Sequence, residues 1–353
     1  MTTALPRAHG GAPLRASLRR RPEDFEVEEI PAFVPDGQGE HAFLWVQKTS
    51  ANTEWVARQL AAAAGVAPAA IGFAGLKDRH AVTRQAFSVH LPGRAGPDWS
   101  ALAIAGVEVL SATRHSRKLK RGAHRGNRFR IRLREASGDR GAFEARIAAL
   151  RAHGAPNYFG EQRFGHGGSN IALARALFAG KRLARAQRGM ALSAARSALF
   201  NAVLAARVAD GSWNQALDGE VWMLRGTHAV FGPEPLDESL QRRLEVLDIH
   251  PTGPLWGAGS LRSEGAVRAL ETAAAGDSQG LAGGLAQAGL IQERRALRLV
   301  VEELQSAWDG DDAVLSFSLE AGAYATAVLR EACDWEAGGG SCDEAFEARD
   351  EYP

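Results

Sequence analysis

The chain has 353 residues, 45% hydrophobic and 24% charged, which is typical of a globular protein of about two domains and excludes a collagen-like, coiled-coil or wholly disordered chain. Two cysteines, Cys333 and Cys342, are too few for a disulfide framework or a thiolate zinc site. The start of the chain lacks the apolar core of a signal peptide, and no stretch approaches about 20 uninterrupted apolar residues. We therefore expect a cytoplasmic protein with no membrane partner.

The formal net charge of +1 hides a strongly basic segment. Residues 114–134 contain ten Lys or Arg and no acidic residue, so the rest of the chain carries 32 basic and 41 acidic residues. A basic segment in an otherwise acidic chain is typical of docking to nucleic acid at one face. A solvated strand and loop would explain the same pattern, and both interpretations stay open at this point.

The first part of the chain predicts a strand-rich domain with two helices. A helix is expected over 53–64, between a capping Asn52 and Gly65, and a second over 142–153, closed by Gly154 and Pro156. Near the end of the basic segment, arginines alternate with apolar residues over 128–134, which predicts a half-buried strand with a cationic face. The other strands are expected at 18–33, 41–46, 71–73, 86–90 and 107–112.

After Pro156 the composition changes. Residues 175–208 are rich in Ala and Arg and predict a helix, whereas 220–231 and 246–259 are interrupted by Gly and Pro, as in strands and turns. Residues 313–319 alternate as a strand, and 322–332 are helical. We expect one α+β domain whose sheet is completed by the late strand and which is interrupted by an inserted domain. The ends, 1–13 and 336–353, are expected to be disordered.

Residues 72–85, GFAGLKDRHAVTRQ, hold the densest group of reactive side chains. Asp78 stands between Lys77 and Arg79 in a Gly-containing turn that follows a short strand. Nearby cations favour the ionised carboxylate, which can act as a nucleophile or stabilise positive charge. A surface turn with a salt bridge is the alternative. No second carboxylate or close His pair stands at ligand spacing, so we predict no metal site.

These residues resemble the motif around the catalytic aspartate of the TruD family of tRNA pseudouridine synthases. Six further blocks resemble motifs of that family, in the family's order. They are RPEDFEVEEI (21–30), HSRKLKRGAHRGNRF (115–129), NYFGEQRFGHGGSN (157–170), LSAARSALFN (192–201), HPTGPLWG (250–257) and LEAGAYATAVLRE (319–331).

The resemblance implies an activity and a fold. The activity is isomerisation of uridine 13 in the tRNA D-arm to pseudouridine, by an aspartate nucleophile acting on a flipped-out base. The fold is α+β, a pseudouridine synthase core with a mixed, largely antiparallel sheet flanked by helices, carrying an inserted α+β TRUD domain. The implied domains are a catalytic first part at 1–155, the insertion at 156–305, and a final catalytic strand and helix at 306–353 with a disordered acidic tail.

Matching the motifs residue by residue makes Asp78 the nucleophile. Asn127 and Phe129 match the asparagine and phenylalanine of the family's GNxF motif, and their equal parity on a strand lets Phe129 stack on the base while Asn127 bonds its edge. The alternative for Phe129 is packing in the core, and the alternative for Asn127 is a turn residue at the start of the strand. Arg19 stands where we expect a lysine that partners Asp78, which keeps the charge but not the shape. Lys77 completes the predicted substrate-binding residues.

The predicted RNA contacts are Lys118, Lys120 and Arg121 in the basic segment, and Arg163 in the NYFGEQRFG block, which a glycine-rich hinge would also explain. The reaction needs no redox partner or group donor, and the chain has no P-loop or dinucleotide motif. We therefore expect no cofactor, tRNA as partner, and a monomer without an obligate protein partner. Two other functions stay open: an RNA uracil glycosylase using the same carboxylate, and a non-catalytic RNA-binding or chaperone module.

Overall fold

A computed structural model describes residues 5–276 and 280–337. In chain order, the strands are β1 (Leu14–Leu18), β2 (Phe25–Pro31), β3 (His41–Thr49), β4 (Ile71–Phe73), β5 (Val82–His90), β6 (Val107–His115), β7 (His124–Gly138), β8 (Ala155–Pro156), β9 (Trp222–Leu224), β10 (Val230–Phe231), β11 (Ile249–Leu255), β12 (Glu293–Ala296), β13 (Arg298–Leu299), β14 (Glu302–Asp309), β15 (Asp312–Glu320) and β16 (Cys333–Ala337). The helices are α1 (Thr53–Ala64), α2 (Arg140–His153), α3 (Ser169–Phe178), α4 (Arg185–Ala209), α5 (Glu238–Glu245), α6 (Gly265–Gly276), α7 (Leu281–Gln287) and α8 (Ala325–Ala332).

The described chain divides into two compact units. The sheet unit comprises residues 14–140, 302–322 and 334–337, and the helical unit comprises 5–13, 141–301 and 323–333. The predicted insertion at 156–305 lies mostly in the helical unit, but α2 and residues 5–13 belong to that unit as well. The prediction that this stretch is an inserted TRUD domain remains a prediction, as do its boundaries.

One large mixed sheet forms the sheet unit. Its strands run in the order β14-β15-β7-β2-β5-β3-β6, with β1 paired to β7 and β16 and β4 paired to β5. Strands β2 and β5 are parallel, whereas the pairings of β7 with β2, β15 and β1 are antiparallel. The late strand β15 joins this sheet, as predicted, and its partner is β7, so residues far apart in sequence complete the sheet.

Helix α1 covers one face of this sheet. Asn52 caps its start by accepting a hydrogen bond from the Glu54 amide at 3.0 Å, and Gly65 ends it with a φ of 60°. Its buried Val56 and Leu60 pack in one apolar cluster with residues of β3 and β5. The helix has the bounds that the sequence predicts, because a local residue specifies each end: the Asn52 side chain at the start and the left-handed Gly65 backbone at the end.

The arginines of β7 point away from that face. Phe129 pairs across the sheet with Val27, whereas the alternate Arg130 and Arg128 pair with Glu26 and Glu28. The guanidinium of Arg130 lies 2.9 Å from Glu26 and that of Arg128 lies 3.3 Å from Glu28. Farther along β7, Arg132 and Arg134 bond Asp309, Asp312 and Asp24. The predicted cationic face is therefore lined with carboxylates, and its charge is compensated.

The helical unit is built around α4. Phe200, Leu204 and Val208 of this helix are buried in a cluster with Tyr158 and Phe159. The helix is long and apolar enough to cross a membrane by length and composition alone, but more than half of its apolar window is buried in the fold, as in the core helix of a globular protein. Its Arg207 forms a buried ion pair with Glu220 at 2.9 Å.

Four predictions about local structure are wrong. The strand predicted at 18–33 is not continuous: β1 ends at Leu18, a 3₁₀ turn spans Pro22–Asp24, and β2 runs over Phe25–Pro31. The predicted helix at 175–208 is two helices, α3 and α4, because Gly180 adopts a φ of 96° after Phe178. Residues 5–13 are ordered, since the buried Glu331 carboxylate accepts the amide hydrogens of Ala8 and His9. Strand β16 occupies the beginning of the tail predicted to be disordered, whereas 338–353 lie outside the described residues.

Candidate active site

Asp78 lies in the connection between β4 and β5, residues 74–81, here called the Asp78 loop. The loop lies over the sheet face that α1 also covers, and buried polar side chains hold its backbone. Gln85 of β5 donates to the Gly75 carbonyl at 3.0 Å, and the Lys77 amide donates to Thr53 Oγ1 at 3.0 Å. Thr53 in turn bonds Gln85 at 3.1 Å. Backbone hydrogen bonds of this kind place the loop before any substrate arrives.

Lys48 of β3 makes a further bond to the loop. Its Nζ donates to the backbone carbonyl of Asp78 at 2.7 Å, and the lysine has no exposed surface. Burial lowers the pKa of Lys48 to about 8, the negative charge of Asp78 raises it, and Lys77 lowers it. An ammonium is therefore buried next to the candidate nucleophile.

The carboxylate of Asp78 is about one-third exposed and pairs with Arg19, whose Nη2 lies 3.0 Å from Asp78 Oδ2. The guanidinium also lies over the ring of Phe25, 4.1 Å from its centroid. Arg19 has a φ of 60°, in the left-handed region that non-glycine residues rarely occupy, which is a form of strain found at functional sites. The structure thus places Arg19 beside Asp78, where the family resemblance puts the partner of the aspartate.

Lys77 points into the protein. Its Nζ lies 2.8 Å from Glu29 Oε2, and the two side chains are 5% and 1% exposed. Glu29 also accepts the Ala86 amide hydrogen at 3.3 Å. Because its ammonium is buried and already bound, this geometry assigns Lys77 to holding the Asp78 loop rather than to the predicted contact with substrate.

Asn127 and Phe129 share one face of β7, as their parity predicts. They lie opposite Glu29 and Val27 of β2, on the face that carries the Asp78 loop. Asn127 Oδ1 is buried and has no hydrogen-bond partner among the described residues. A polar atom left in that state is costly unless a ligand or water satisfies it. The amide is therefore available to a polar ligand edge.

Phe129 is held in place by other rings. It is 7% exposed, stacks on Phe317 of β15 with centroids 5.3 Å apart, and meets the edge of Phe25 at 6.3 Å. The core-packing interpretation thus describes most of its surface. Gly126 precedes this pair within the strand, not in a turn: a Cβ there would lie 2.2 Å from the Leu319 carbonyl oxygen, so β7 and β15 approach closely because the residue is glycine.

The sequence interpretation assigned no role to four buried polar residues near Asp78 or to His124. His124 begins β7, its Nδ1 has no partner within the described ranges, and burial followed by the charge of Lys77 lowers its pKa. The four residues are Glu29, Lys48, Thr53 and Gln85. For the three that lie on strands, a polar residue at a position where strand periodicity predicts burial is the signal that could have found them; Thr53 begins α1 and gives no such signal.

The predicted RNA contacts have different surroundings. Lys118 donates to the Ala69 carbonyl at 2.5 Å, and Arg121 lies over the Phe73 ring at 3.9 Å, while Lys120 is exposed. Arg163 belongs to the helical unit, where it donates to Ser193 Oγ and the Tyr324 hydroxyl at 2.9 and 2.5 Å. Its guanidinium is thus part of an internal network. The loop residues are the ones that present charge to solvent.

The described ranges contain no group of three His, Cys, Asp or Glu side chains that could hold a metal ion. The groups that the sheet unit brings together are a carboxylate paired with a guanidinium, a buried ammonium beneath it, and an amide and an aromatic ring on one strand face. Such a set can deliver an oriented, ionised carboxylate to a bound substrate.

Comparison with known proteins gives a consistent assignment. The family model for tRNA pseudouridine synthase D (TruD) matches residues 8–181 and 172–332. Curated relatives include tRNA pseudouridine synthase D of Xanthomonas campestris pv. campestris (strain B100), 54% identical over 350 residues that cover 95% of this chain and 94% of the relative. The enzyme of that name from Methylococcus capsulatus is 53% identical over 335 residues, covering 94% of this chain and 95% of the relative.

A solved structure supports the same assignment at the level of the fold. The crystal structure of the putative tRNA pseudouridine synthase D from Methanosarcina mazei matches with a TM-score of 0.72 at 21% identity, over 92% of this chain and 95% of that one. The predicted α+β fold with a mixed sheet is confirmed. Because the family model and close relatives span nearly the whole chain, the resemblance carried by seven short motifs is confirmed too, and the chain belongs to the TruD family of tRNA pseudouridine synthases.

Proposed function

We propose that this chain isomerises uridine 13 in the D-arm of tRNA to pseudouridine, with Asp78 as the nucleophile. The family assigns the reaction class, an isomerase that acts on tRNA. The observation that carries the proposal is the Asp78 carboxylate, presented to solvent on a loop with a fixed backbone and paired with Arg19 at 3.0 Å.

The chemistry requires little more than this carboxylate. The N1–C1′ bond of uridine breaks, the uracil turns while it remains bound, and C5 bonds to C1′; C5 loses a proton and N1 gains one, so the atoms balance. Attack of Asp78 at C1′, addition at C6 and a glycal route all begin from the same ionised group. Arg19 orients that carboxylate through a charge-assisted hydrogen bond at 3.0 Å.

The uracil must leave the base stack to reach Asp78, and β7 offers groups that suit it. The Asn127 amide can accept from N3–H or donate to a carbonyl oxygen of the base. Phe129 packs against Phe25 and Phe317 and is 7% exposed, so only a small, rigid part of its ring is open to a base. A base in contact with that part should gain at most the value of a full stack, about 1 to 3 kcal/mol.

The test uses unmodified tRNA transcripts and the Asp78→Asn variant, which keeps size and hydrogen bonding but is no nucleophile. We expect the variant to bind tRNA within about threefold of wild type, since phosphate contacts dominate affinity. Its single-turnover rate should be less than about one-hundredth of wild type, a barrier increase of roughly 2.7 kcal/mol. Pseudouridine is read by nucleoside mass spectrometry and its position by sequencing.

A transcript with cytidine at position 13 is the matched control and should yield no pseudouridine. Isomerisation leaves the RNA mass unchanged, so release of free uracil would instead indicate a glycosylase. Tight binding without conversion by the wild-type protein would favour a non-catalytic RNA-binding module. Faster residual turnover by Asp78→Asn than about one-hundredth of wild type would refute the role of Asp78.

A further inference from the structure

Lys48 occupies a position where the pattern of its strand calls for an apolar residue. It follows Leu44 and Val46 at alternate positions of β3, both buried against α1, and it has no exposed surface itself. Lysine is almost never fully buried unless it is paired. Its cross-strand neighbour on β5 is Thr83, whose hydroxyl is buried without a partner in the described part of the chain.

The polar partner of Lys48 is the backbone of the candidate nucleophile. Nζ donates to the carbonyl of Asp78 itself at 2.7 Å, and the charge of Asp78 acts on the ammonium. Gln85 and Thr53 hold the loop at Gly75 and Lys77, before Asp78 in sequence. After it, the Ser50 amide donates to the Ala81 carbonyl at 3.3 Å. Within the described ranges, the bond from Lys48 is therefore the one that holds the carbonyl of residue 78 itself.

We propose that Lys48 is a positioning residue for the isomerisation: its buried ammonium fixes the backbone of Asp78, and so the place and orientation of the carboxylate that Arg19 binds. This inference rests on the proposed function, because it assigns Lys48 a part in the same reaction. A displacement of about 1 Å in a reacting group can lower a rate by about a hundredfold.

If Lys48 served only the fold, replacing it would lower the Tm and leave the reaction rate unchanged. Burying a charge without an ion-pair partner costs free energy of folding, and among the described residues Lys48 bonds a backbone carbonyl and forms no ion pair, unlike Lys77 with Glu29. Met fits the volume of Lys, so Lys48→Met removes the ammonium without leaving a cavity. If the lysine serves the reaction, the substitution costs activity and spares stability, a trade-off typical of groups kept for function.

The first measurement compares Lys48→Met with Arg298→Met. Arg298 of β13 is a buried cation that donates to the backbone carbonyls of Leu244 and Ile249 in the helical unit. For Lys48→Met we expect the single-turnover rate on bound tRNA to fall by at least about thirtyfold, with tRNA affinity within about threefold and an unchanged Tm. For Arg298→Met we expect a lower Tm and an unchanged rate.

The second measurement is the pH dependence of the rate. The charged groups that face Lys48 are Asp78 and Lys77, both on the Asp78 loop, and the balance of burial and these charges holds the pKa of Lys48 at about 8. Below that pH the ammonium holds the carbonyl; above it the neutral amine holds it more weakly. The ratio of wild-type to Lys48→Met rates should therefore decline between pH 7 and 9. Ionisation of uridine itself is common to both proteins and cancels in the ratio.

The third measurement does not depend on turnover. Hydrogen exchange of peptides covering residues 74–81 should be faster in Lys48→Met than in wild type. If wild type converts no uridine 13, the proposed function fails, and exchange still decides whether Lys48 holds the loop. A lowered Tm with an unchanged rate, a rate ratio constant with pH, or unchanged exchange of the loop would each overturn the inference.

Discussion

The buried pair of Lys77 and Glu29 makes a quantitative prediction that separates holding the loop from binding RNA. Lys77→Met leaves the Glu29 carboxylate, 1% exposed, without its cation at 2.8 Å. Breaking a buried pair by removing one partner costs about 3 to 5 kcal/mol. At roughly 2 to 4 °C per kcal/mol for a unit of this size, the Tm should fall by about 6 to 20 °C.

The double variant Lys77→Met/Glu29→Gln removes both charges. Its amide oxygen can still accept the Ala86 amide hydrogen, so the double variant should be more stable than Lys77→Met alone. We expect a coupling free energy of about 2 to 3 kcal/mol between the two positions, measured by urea denaturation of the wild type, both single variants and the double variant. Additive losses, within about 0.5 kcal/mol, would refute the pair as a major contributor.

Binding gives the discriminating readout. Measured below its Tm, folded Lys77→Met should bind tRNA as wild type does, because the ammonium is 5% exposed and already bound. A large loss of affinity with little loss of stability would restore Lys77 as a substrate contact, which is what the sequence predicted.

Gly126→Ala should lower the Tm, because its Cβ would lie 2.2 Å from the Leu319 carbonyl oxygen and force β7 from β15; a wild-type thermal melt would contradict this register. The free energy of unfolding should fall as the pH drops below 6.5. Burial, reinforced by the charge of Arg298, lowers the pKa of His250 to about 3 in the folded protein. The unfolded chain binds the proton from pH 6.5 downward, so acid favours the unfolded state. Urea titrations at pH 7 and 4.5 should show a smaller loss for His250→Asn than for wild type, and equal losses would exclude His250 as the cause. Replacing three basic residues of the 116–123 loop by Ala should make the slope of log affinity against log salt shallower by about 0.7 to 0.9 for each phosphate that is no longer neutralised, and an unchanged slope would show a solvated surface. These residues are Lys118, Lys120 and Arg121.

Local signals predicted α1 and several strands of the sheet unit, but not β14 or β16. Helix α1 matches its prediction to the residue because Asn52 and Gly65 specify its ends within the sequence. The prediction of one helix at 175–208 was wrong because no capping side chain marks the break between α3 and α4. Its Ala- and Arg-rich flanks have the same helical preference, and the break lies at Gly180, whose φ of 96° is outside the helical region.

The candidate site was predictable only as far as the motifs reached. Asp78, Asn127 and Phe129 were predicted from motifs that resemble those of the family, and the structure places Asn127 and Phe129 on the face that carries the Asp78 loop, while their roles stay predictions. Lys48 and Glu29 were not predicted, because their contacts depend on the order and register of β2, β3 and β5, which place residues from distant parts of the chain next to the loop. The sequence also could not predict that carboxylates neutralise the charge of the β7 arginines, since those carboxylates come from other segments of the chain.

The position of β15 determines when this site can form during synthesis. The ribosome delivers β7, with Asn127 and Phe129, long before β15, because residues 141–301 lie between them. Until β15 arrives, one edge of β7 is open, and Phe129 lacks the Phe317 ring on which it stacks. An open edge can pair with other chains, and pairing of strands distant in sequence is slow. A nascent chain therefore carries an unfinished site from the synthesis of β7 until β15 arrives, and only then does Phe129 gain its stacking partner.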